Sequence, residues 1–415
     1  MTGEQDFQTR GRDSRSTLVP ARPWARTLKH RLRGTPAVVF LDDGPWNAFF
    51  QLAAQLRHAG VRTIRLSTDT RAGSRLLSLL LFDAYRMLPD ASDGRPLRQL
   101  LAAECPVDLQ FVETLAPMVH ESLDLLPPAA AEQVQRRIAV MDKFEASRVF
   151  VAAGIRAPSQ ASLAEVSAEE IALRFGYPIA VKARLGCGGT EVTIARDLEA
   201  LIAAIHELAG EPERYFYQRF VDGDKFNYAA VVSADGIEEE FTYRVTHSTQ
   251  PGGMATDIET INDPALLGFG RRVLDAAGCT GFVDLDVIRD ASGQDWLIDF
   301  NARAFGGAAN FLSAGVDTSQ GYLKAIGLRT ASPARTVPPP GVAIKVFPTC
   351  LEEVARSGSI AGTTYAFLRL SWPYLRWLGF RYWLSEALMM IYLVARSSRM
   401  GVWPRRDSPR TPSGR

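Results

Sequence analysis

Apolar and polar positions along the chain separate into alternating strand-like and helix-like segments. PAVVFLDDG (36–44) is an apolar run ending in a turn, as a buried strand does. WNAFFQLAAQLRHAG (46–60) has helical spacing and a glycine stop, and VRTIRLS (61–67) reads as another strand. A β-α-β start of this kind predicts a parallel, doubly wound unit. DLQFV (108–112) and the helix after it continue the pattern to about residue 130. Residues 131–153 read as one long helix that carries Asp142 and Lys143 and is ended by Gly154 and Pro158. A helix at Ala168–Phe175 leads into YPIAVKARLGCGGTEVTIA (177–195), which reads as strand, glycine-rich loop, strand. The helix Leu198–Leu208 and the strand-to-turn segment YFYQRFVDG (215–223) follow. Residues 224–280 give a mixed pattern, with a loop at Pro251-Gly252-Gly253 and a helix over Ala265–Ala277. PARTVPPPG (333–341) reads as a linker before a separate Trp- and Arg-rich region at 342–415, and no internal repeat is visible.

The segment from Gly281 to Gly307, GFVDLDVIRDASGQDWLIDFNARAFGG, reads as two strands joined by a polar turn. Asp284 and Asp286 alternate on the first strand, Asp299 and Asn301 on the second. Strand side chains repeat with period two, so each pair shares a face. A loop of two or four residues around Ala291–Gly293 closes an antiparallel hairpin, and either length puts all four side chains on one face. Several hard oxygen ligands side by side, with Arg303 just beyond, suit a Mg²⁺ ion that also holds phosphate oxygens. The segment is therefore read as a metal–nucleotide site.

Composition narrows the setting. The 415 residues suggest two to three domains, and a net charge of +1 carries no nucleic-acid footprint. Lysine occurs only at 29, 143, 182, 225, 324 and 345, so a lysine at a phosphate-binding position stands out in this Arg-biased chain. Cys105, Cys187, Cys279 and Cys350 are scattered without ligand spacing and read as reduced thiols of a cytoplasmic protein. Residues 1–34 are polar and Arg-rich, which predicts a disordered tail rather than a signal peptide. Neither G-x-G-x-x-G nor Walker A is present, and no Ser-His-Asp or Cys-His arrangement is legible.

Four segments, taken together, resemble the ATP-grasp superfamily. They are VMDKFEASRVFVAAGIRAPSQ (140–160), AVKARLGCGGTEV (180–192), YQRFVDGD (217–224) and the hairpin with its Asp-x-Asn-x-Arg ending. Within the superfamily, TGFVDLDV, IDFNARAFGG and AGVD (314–317) look most like predicted carboxylate–amine ligases. The resemblance runs from Val140 to about Gly321. It implies an α/β ATP-grasp fold over 131–330, with two α+β subdomains clamping ATP and a lid at about 155–215. A Rossmann-like parallel α/β domain at 35–130 precedes it.

The implied activity is a ligase: a carboxylate is phosphorylated by ATP to an acyl-phosphate, which an amine then captures, releasing ADP and phosphate. Lys143 and Lys182 would meet the α- and β-phosphates. Gly186, Gly188 and Gly189 would let backbone N–H groups approach the phosphates. Gln218 would face the adenine amino group, with Arg219 and Val221 offering backbone contacts to the ring. Asp286, Asp299 and Asn301 would carry one or two Mg²⁺ ions (or Mn²⁺), and Arg303 would stabilise the transferring phosphoryl group beside Asn301 and Lys182. Arg244 and His247, before the PGG loop, are candidates for the substrate carboxylate, with plain surface strand residues as the alternative.

The chain departs from the superfamily pattern in places. The second hairpin acid is Asp299 where Glu is usual, Ala302 replaces a common Pro, and Asp284 is an extra acid. The Glu expected for the ribose is Lys225, for which Asp224 or Asn227 would substitute. The expected partners are a small-molecule acid and amine, without nucleic acid and with a homodimer left open. Alternatives to the ligase are an ATP-binding module without ligase activity, membrane-associated or not, a kinase that stops at the phosphorylated product, and an enolate-phosphorylating ligase. ALMMIYLVA (387–395) is too short to cross a bilayer, which takes ~20 apolar residues. Trp372, Trp377, Trp383 and Trp403 lie among many arginines over 366–406, which either pack on the body, the preferred reading, or meet an anionic membrane.

Overall fold

The computed structural model describes residues 19–20 and 35–399, apart from positions 45, 89, 91, 187–190, 209, 250–252, 331–336, 352–353 and 355–359. The disorder expected of residues 1–34 lies almost wholly outside the described residues, as do Gly188, Gly189 and Trp403.

Five strands form the first sheet, in the order β1 (Val19–Pro20), β4 (Ala84–Met87), β3 (Arg62–Ser67), β2 (Ala37–Asp42), β5 (Asp108–Phe111). β2 to β5 run parallel, and only β1 pairs antiparallel. All six residues of β2 are buried, and the strand is apolar up to its last residue rather than alternating. Its last residue, Asp42, forms a buried two-point ion pair with Arg65 of β3, at 2.6 and 2.7 Å.

A second sheet of four strands is antiparallel: β6 (Gln160–Ser162), β9 (Tyr215–Arg219), β7 (Ile179–Ala183), β8 (Val192–Ala195). With the helices Ala168–Phe175 and Leu198–Glu207 it buries a small core of its own around Ile171, Ile179, Val181, Leu201 and Tyr217. That core is separate from the large one under the rest of the protein.

The third sheet is the largest, with the order β14 (Asp295–Asn301), β13 (Gly281–Arg289), β10 (Asp224–Ser233), β11 (Gly236–Ser248), β12 (Ala255–Ile261), β15 (Ala343–Lys345). β15 corrects the expectation of a separate region from 342 onward, because residues 343–345 complete the edge of this sheet beside β12. The mixed pattern expected over 224–280 resolves into three long strands and the helix Pro264–Ala277. β10 is central and covered on both faces, so it shows no clean alternation.

Two further expectations are corrected. The helix expected over 131–153 is two, Pro128–Ala139 and Lys143–Ala152. The break falls where Asp142 caps the second helix, accepting from the N–H groups of Phe144 and Glu145 at 3.0 and 3.2 Å. Arg184, just past β7, grips the same carboxylate at 2.8 Å and so ties the helix start to the second sheet. The hairpin loop has neither two nor four residues. Asp290 N–H bonds to the Gln294 carbonyl at 3.0 Å, which leaves three residues, and Gly293 takes the left-handed φ of 80° that such a loop needs.

The C-terminal helix Ile360–Arg399 is bent at Gly379 (φ 81°) and lies on the helices Asn47–His58 and Ala72–Leu81. Phe367, Tyr374, Leu378 and Tyr382 are buried by it, which is the packing preferred from the sequence. Among the described residues no helix is long and apolar enough to cross a membrane.

Helix Pro264–Ala277 packs so closely on β10 that a Cβ at Gly270 would stand 2.3 Å from the Tyr228 ring, whereas one at Gly268 would meet nothing closer than 4.0 Å. Gly270→Ala is therefore expected to cost about 1–3 kcal/mol, and Gly268→Ala to be neutral or stabilising by up to about 1 kcal/mol. Urea unfolding midpoints of the two variants check the contrast.

Candidate active site

The hairpin register places the acids. From the loop inward, Arg289 pairs with Asp295, Ile288 with Trp296 and Val287 with Leu297. Continued unchanged, that register would set Asp286 opposite Ile298 and turn Asp299 to the other face. A bulge between Asp286 and Val287 shifts it by one residue, so that Asp286 pairs with Asp299 and Asp284 with Asn301. The four side chains therefore share a face, by an odd loop and a bulge rather than by an even loop.

This face forms the floor of a cleft of about 720 Å³. Lys182, Gly186, Glu191 and Val192 line it from the second sheet, Gln218 to Gly223 from the crossing segment, and Trp46 and Gly306–Gly307 from the far end. A Cβ at Gly186 would stand 2.6 Å from Glu191 Oε2, the movable end of a long side chain, and 3.3 Å from the Ala183 Cβ.

Three lysines line the cleft, and two of them meet the acids. Lys143, released into the cleft by the Asp142 cap, donates to both Asp299 oxygens at 2.6 Å. Lys225 Nζ lies 3.2 Å from Asp286 Oδ2, and Asn227 Nδ2 donates to Asp286 Oδ1 at 2.6 Å. Lys182 donates to the neutral Gln218 Oε1 at 2.6 Å. Their acidities differ accordingly. Burial opposes the charge of Lys143 and Lys225, but Asp299 and Asp286 outweigh it and raise both. Lys182 faces no such contact carboxylate, so burial, helped by Lys143, pushes it down to about 8. Burial acts to raise Asp299, and Lys143 overcomes it and holds the carboxyl low. Asp284 goes the other way, raised by burial and then by Asp286. Tyr243 OH donates to it at 2.9 Å.

The hydrogen bonds continue to the first sheet. Asn301 Nδ2 donates to the Asp284 carbonyl at 3.3 Å, and Arg303 Nη2 donates to Asn301 Oδ1 at 3.1 Å. Arg303 is only 3% exposed. It pairs with Glu113 Oε1 at 2.9 Å and lies over the Trp46 ring at 4.4 Å. Glu113 and Trp46 are functional neighbours that the sequence reading missed. Both follow the C-terminal ends of parallel strands, β5 and β2, where ligands gather in open α/β sheets, and that rule could have flagged them.

Not every expected residue reaches the cleft. Lys143, Lys182, Gly186, Gln218, Arg219, Val221, Asp286, Asp299, Asn301 and Arg303 line it, as does His247. The Arg219 side chain itself is exposed over the Trp296 ring at 5.7 Å, so its offering to the cleft is backbone. Arg244 does not line the cleft: it is exposed and paired with Glu259 at 2.7 Å, because strand alternation turns it away from its neighbours Tyr243 and Val245. Asp224 is exposed and also outside the lining, while Lys225 and Asn227 are inside. Gly188 and Gly189 lie outside the described residues.

Asp286, Asp299 and the Asn301 amide offer hard oxygen atoms on one strand face, and the buried Asn227 Oδ1 beside them has no donor among the described residues. That donor set fits Mg²⁺ with water and phosphate oxygens filling its shell. Among the described residues no three His, Cys, Asp or Glu side chains are placed to hold a metal unaided.

Residues 140–307 match the sequence family described as the ATP-grasp domain. The chain is 24% identical over 180 residues to a D-alanine–D-alanine ligase of Ectopseudomonas mendocina, covering 39% of this chain and 55% of that one. Against the same-named ligase of Nitrosomonas eutropha it is 28% identical over 202 residues, 44% of this chain and 63% of that one. The chain thus spans a little over half the length of these curated relatives. Among solved structures, carboxyaminoimidazole ribonucleotide synthase of Aspergillus clavatus complexed with ATP superposes with a TM-score of 0.60 at 13% identity, covering 72% of this chain and 78% of that one. The biotin carboxylase domain of Hydrogenobacter thermophilus 2-oxoglutarate carboxylase, in complex with MgADP, gives 0.56 at 14% identity, over 72% and 71%.

Two outcomes are expected. In the role expected of Lys182, a phosphate would favour its charged form, which is present below about pH 8 and must be regained by proton uptake above it. Affinity for Mg·ADP should therefore fall as pH rises through about 8, by up to about tenfold per pH unit, and Lys182→Arg should flatten the profile. Calorimetric titration across that range checks it. Glu113→Ala should remove the carboxylate that pairs with the buried Arg303 and cost about 3–5 kcal/mol, with much of the loss recovered on adding Arg303→Met. Unfolding of the single and double variants completes the cycle.

Proposed function

Residues 140–307 are an ATP-grasp domain, and on that premise we propose that the protein is an ATP-dependent carboxylate–amine ligase. One observation carries the reading: a single cleft sets Lys143, Lys182 and Arg303 around the paired acids Asp286 and Asp299. A triphosphate needs several fixed cations and a metal-binding acid pair within one reach, and a plain solvated strand face needs neither.

In the first step a carboxylate oxygen of the acid attacks the γ-phosphorus of ATP. The bond to the β,γ-bridging oxygen breaks, and ADP leaves. In the second step the amine attacks the carbonyl carbon of the acyl-phosphate, phosphate leaves with the C–O bonding pair, and the amine proton passes to solvent or phosphate. Lys143 and Lys182 hold α- and β-phosphate oxygens as point charges. Gln218 faces the adenine amino group, with the backbone of Arg219 and Val221 along the ring. Arg303, held rigid by Glu113, Asn301 and Trp46, meets the charge that develops on the transferring phosphoryl group. Asp286, Asp299 and Asn301 would hold Mg²⁺ or Mn²⁺, which neutralises phosphate oxygens when bound. The second sheet, with a core of its own and Gly186 at its tip, suits a lid that closes to exclude water. We assign it residues of about 155–215 and assign the preceding parallel domain 35–130. The reaction is placed in the cytoplasm, with a small-molecule acid and amine as substrates.

A second reading, an ATP-binding module without ligase activity, is favoured by one feature: Lys225 and Lys143 already neutralise the two acids of the proposed metal site.

The deciding measurement is ADP and phosphate release from Mg·ATP against paired libraries of carboxylates and amines. Release that requires both, and falls by about 10²–10³ in Arg303→Ala and Asp286→Ala, is the expected outcome. Release with the acid alone would make the protein a kinase. Nucleotide binding without release for any pair would favour the binding module.

A further inference from the structure

The C-terminal helix has a face that the proposed reaction does not use. Up to its bend, Phe367, Ser371, Tyr374 and Leu378 turn inward and are buried. Tyr365, Leu368, Arg369, Trp372 and Arg376 lie on the opposite side, within a stripe about 100° wide at ~100° per residue, and all are exposed. Just past the bend Phe380 and Arg381 are exposed as well. Trp372 is 69% and Phe380 62% exposed, unusual for the two largest kinds of apolar ring on a folded surface.

The charge on this face has one sign. Arg369, Arg376 and Arg381 are exposed, and the one acid of the helix, Glu386, is buried. A surface made to meet water or an ordinary protein would intersperse acids among the arginines. Aromatic rings with arginines at their flanks match the interface of an anionic bilayer, where the rings sit at headgroup level and the guanidinium groups meet phosphate. The helix is too polar to cross, so it would lie along the surface.

We propose that this face, Tyr365 to Arg381, is a peripheral docking surface for an anionic lipid bilayer. The inner face of the same helix stays packed on helices Asn47–His58 and Ala72–Leu81, so binding needs no unfolding. Because the surface lies on side chains outside the cleft, the inference does not depend on the ligase reading.

Co-sedimentation of the full chain with vesicles of pure phosphatidylcholine, and with equimolar phosphatidylcholine and phosphatidylglycerol, tests it. Binding to the anionic vesicles alone is expected. Arg369→Glu with Arg376→Glu and Arg381→Glu should weaken it by at least about tenfold, and Trp372→Ala with Phe380→Ala should also weaken it at unchanged thermal stability. The aromatic pair separates this face from the Arg-rich residues 1–34, which would bind anionic vesicles by charge alone. Binding that survives both sets of substitutions would overturn the proposal. So would the absence of any vesicle binding, or a self-association in sedimentation velocity that Trp372→Ala abolishes, which would make the face an interface between copies.

Discussion

One extra residue in a strand governs the cleft. Without the bulge opposite Asp286 and Val287, the three-residue loop at Ala291–Gly293 would leave Asp286 and Asp299 on opposite faces of the sheet. Side-chain alternation along a strand makes register an all-or-none matter, so the loop and the bulge must be read together. The polar partners of the corrected face follow: Lys143 on Asp299, Lys225 and Asn227 on Asp286, Tyr243 on Asp284.

Separate sheets deliver these partners. Lys182 comes from the small second sheet, Lys143 from a helix start tied to that sheet through Asp142 and Arg184, and Arg303 is anchored through Glu113 to the end of the first sheet. The charges differ in how firmly they are held. Arg303 has a buried carboxylate partner and an aromatic ring beneath it, whereas Lys182 donates to an amide oxygen and has a lowered pKa. In the proposed reaction a rigid arginine would suit the point where charge develops, and a lysine without a contact carboxylate would suit a nucleotide phosphate.

The C-terminal helix shows how one element serves two surroundings. Its inner face adds to the core beside the first sheet, and its bend at Gly379 lets it follow that surface. Its outer face keeps aromatic and basic residues that no neighbour within the chain covers among those described. Aromatic and basic composition alone pointed at both packing and a membrane, and each belongs to a different side of the helix.

The sequence by itself determined the elements whose chemistry is local. The parallel start showed in the apolar run of β2 and the glycine-stopped helix after it, and the hairpin acids and Arg303 stood out by period and residue type. Lys143 and Lys182 stood out through the family resemblance of their segments, in a chain where lysine is rare. Tertiary structure alone decided the rest, because each remaining feature joins residues far apart along the chain. Glu113 reaches Arg303 across 190 positions, and Trp46 lies over the same arginine from the end of another strand. Arg184 reaches the Asp142 carboxylate across 42 positions, and Arg244 finds its partner Glu259 in β12. A carboxylate in a sequence carries no mark of the cation it will meet; that partner is chosen when the sheets pack.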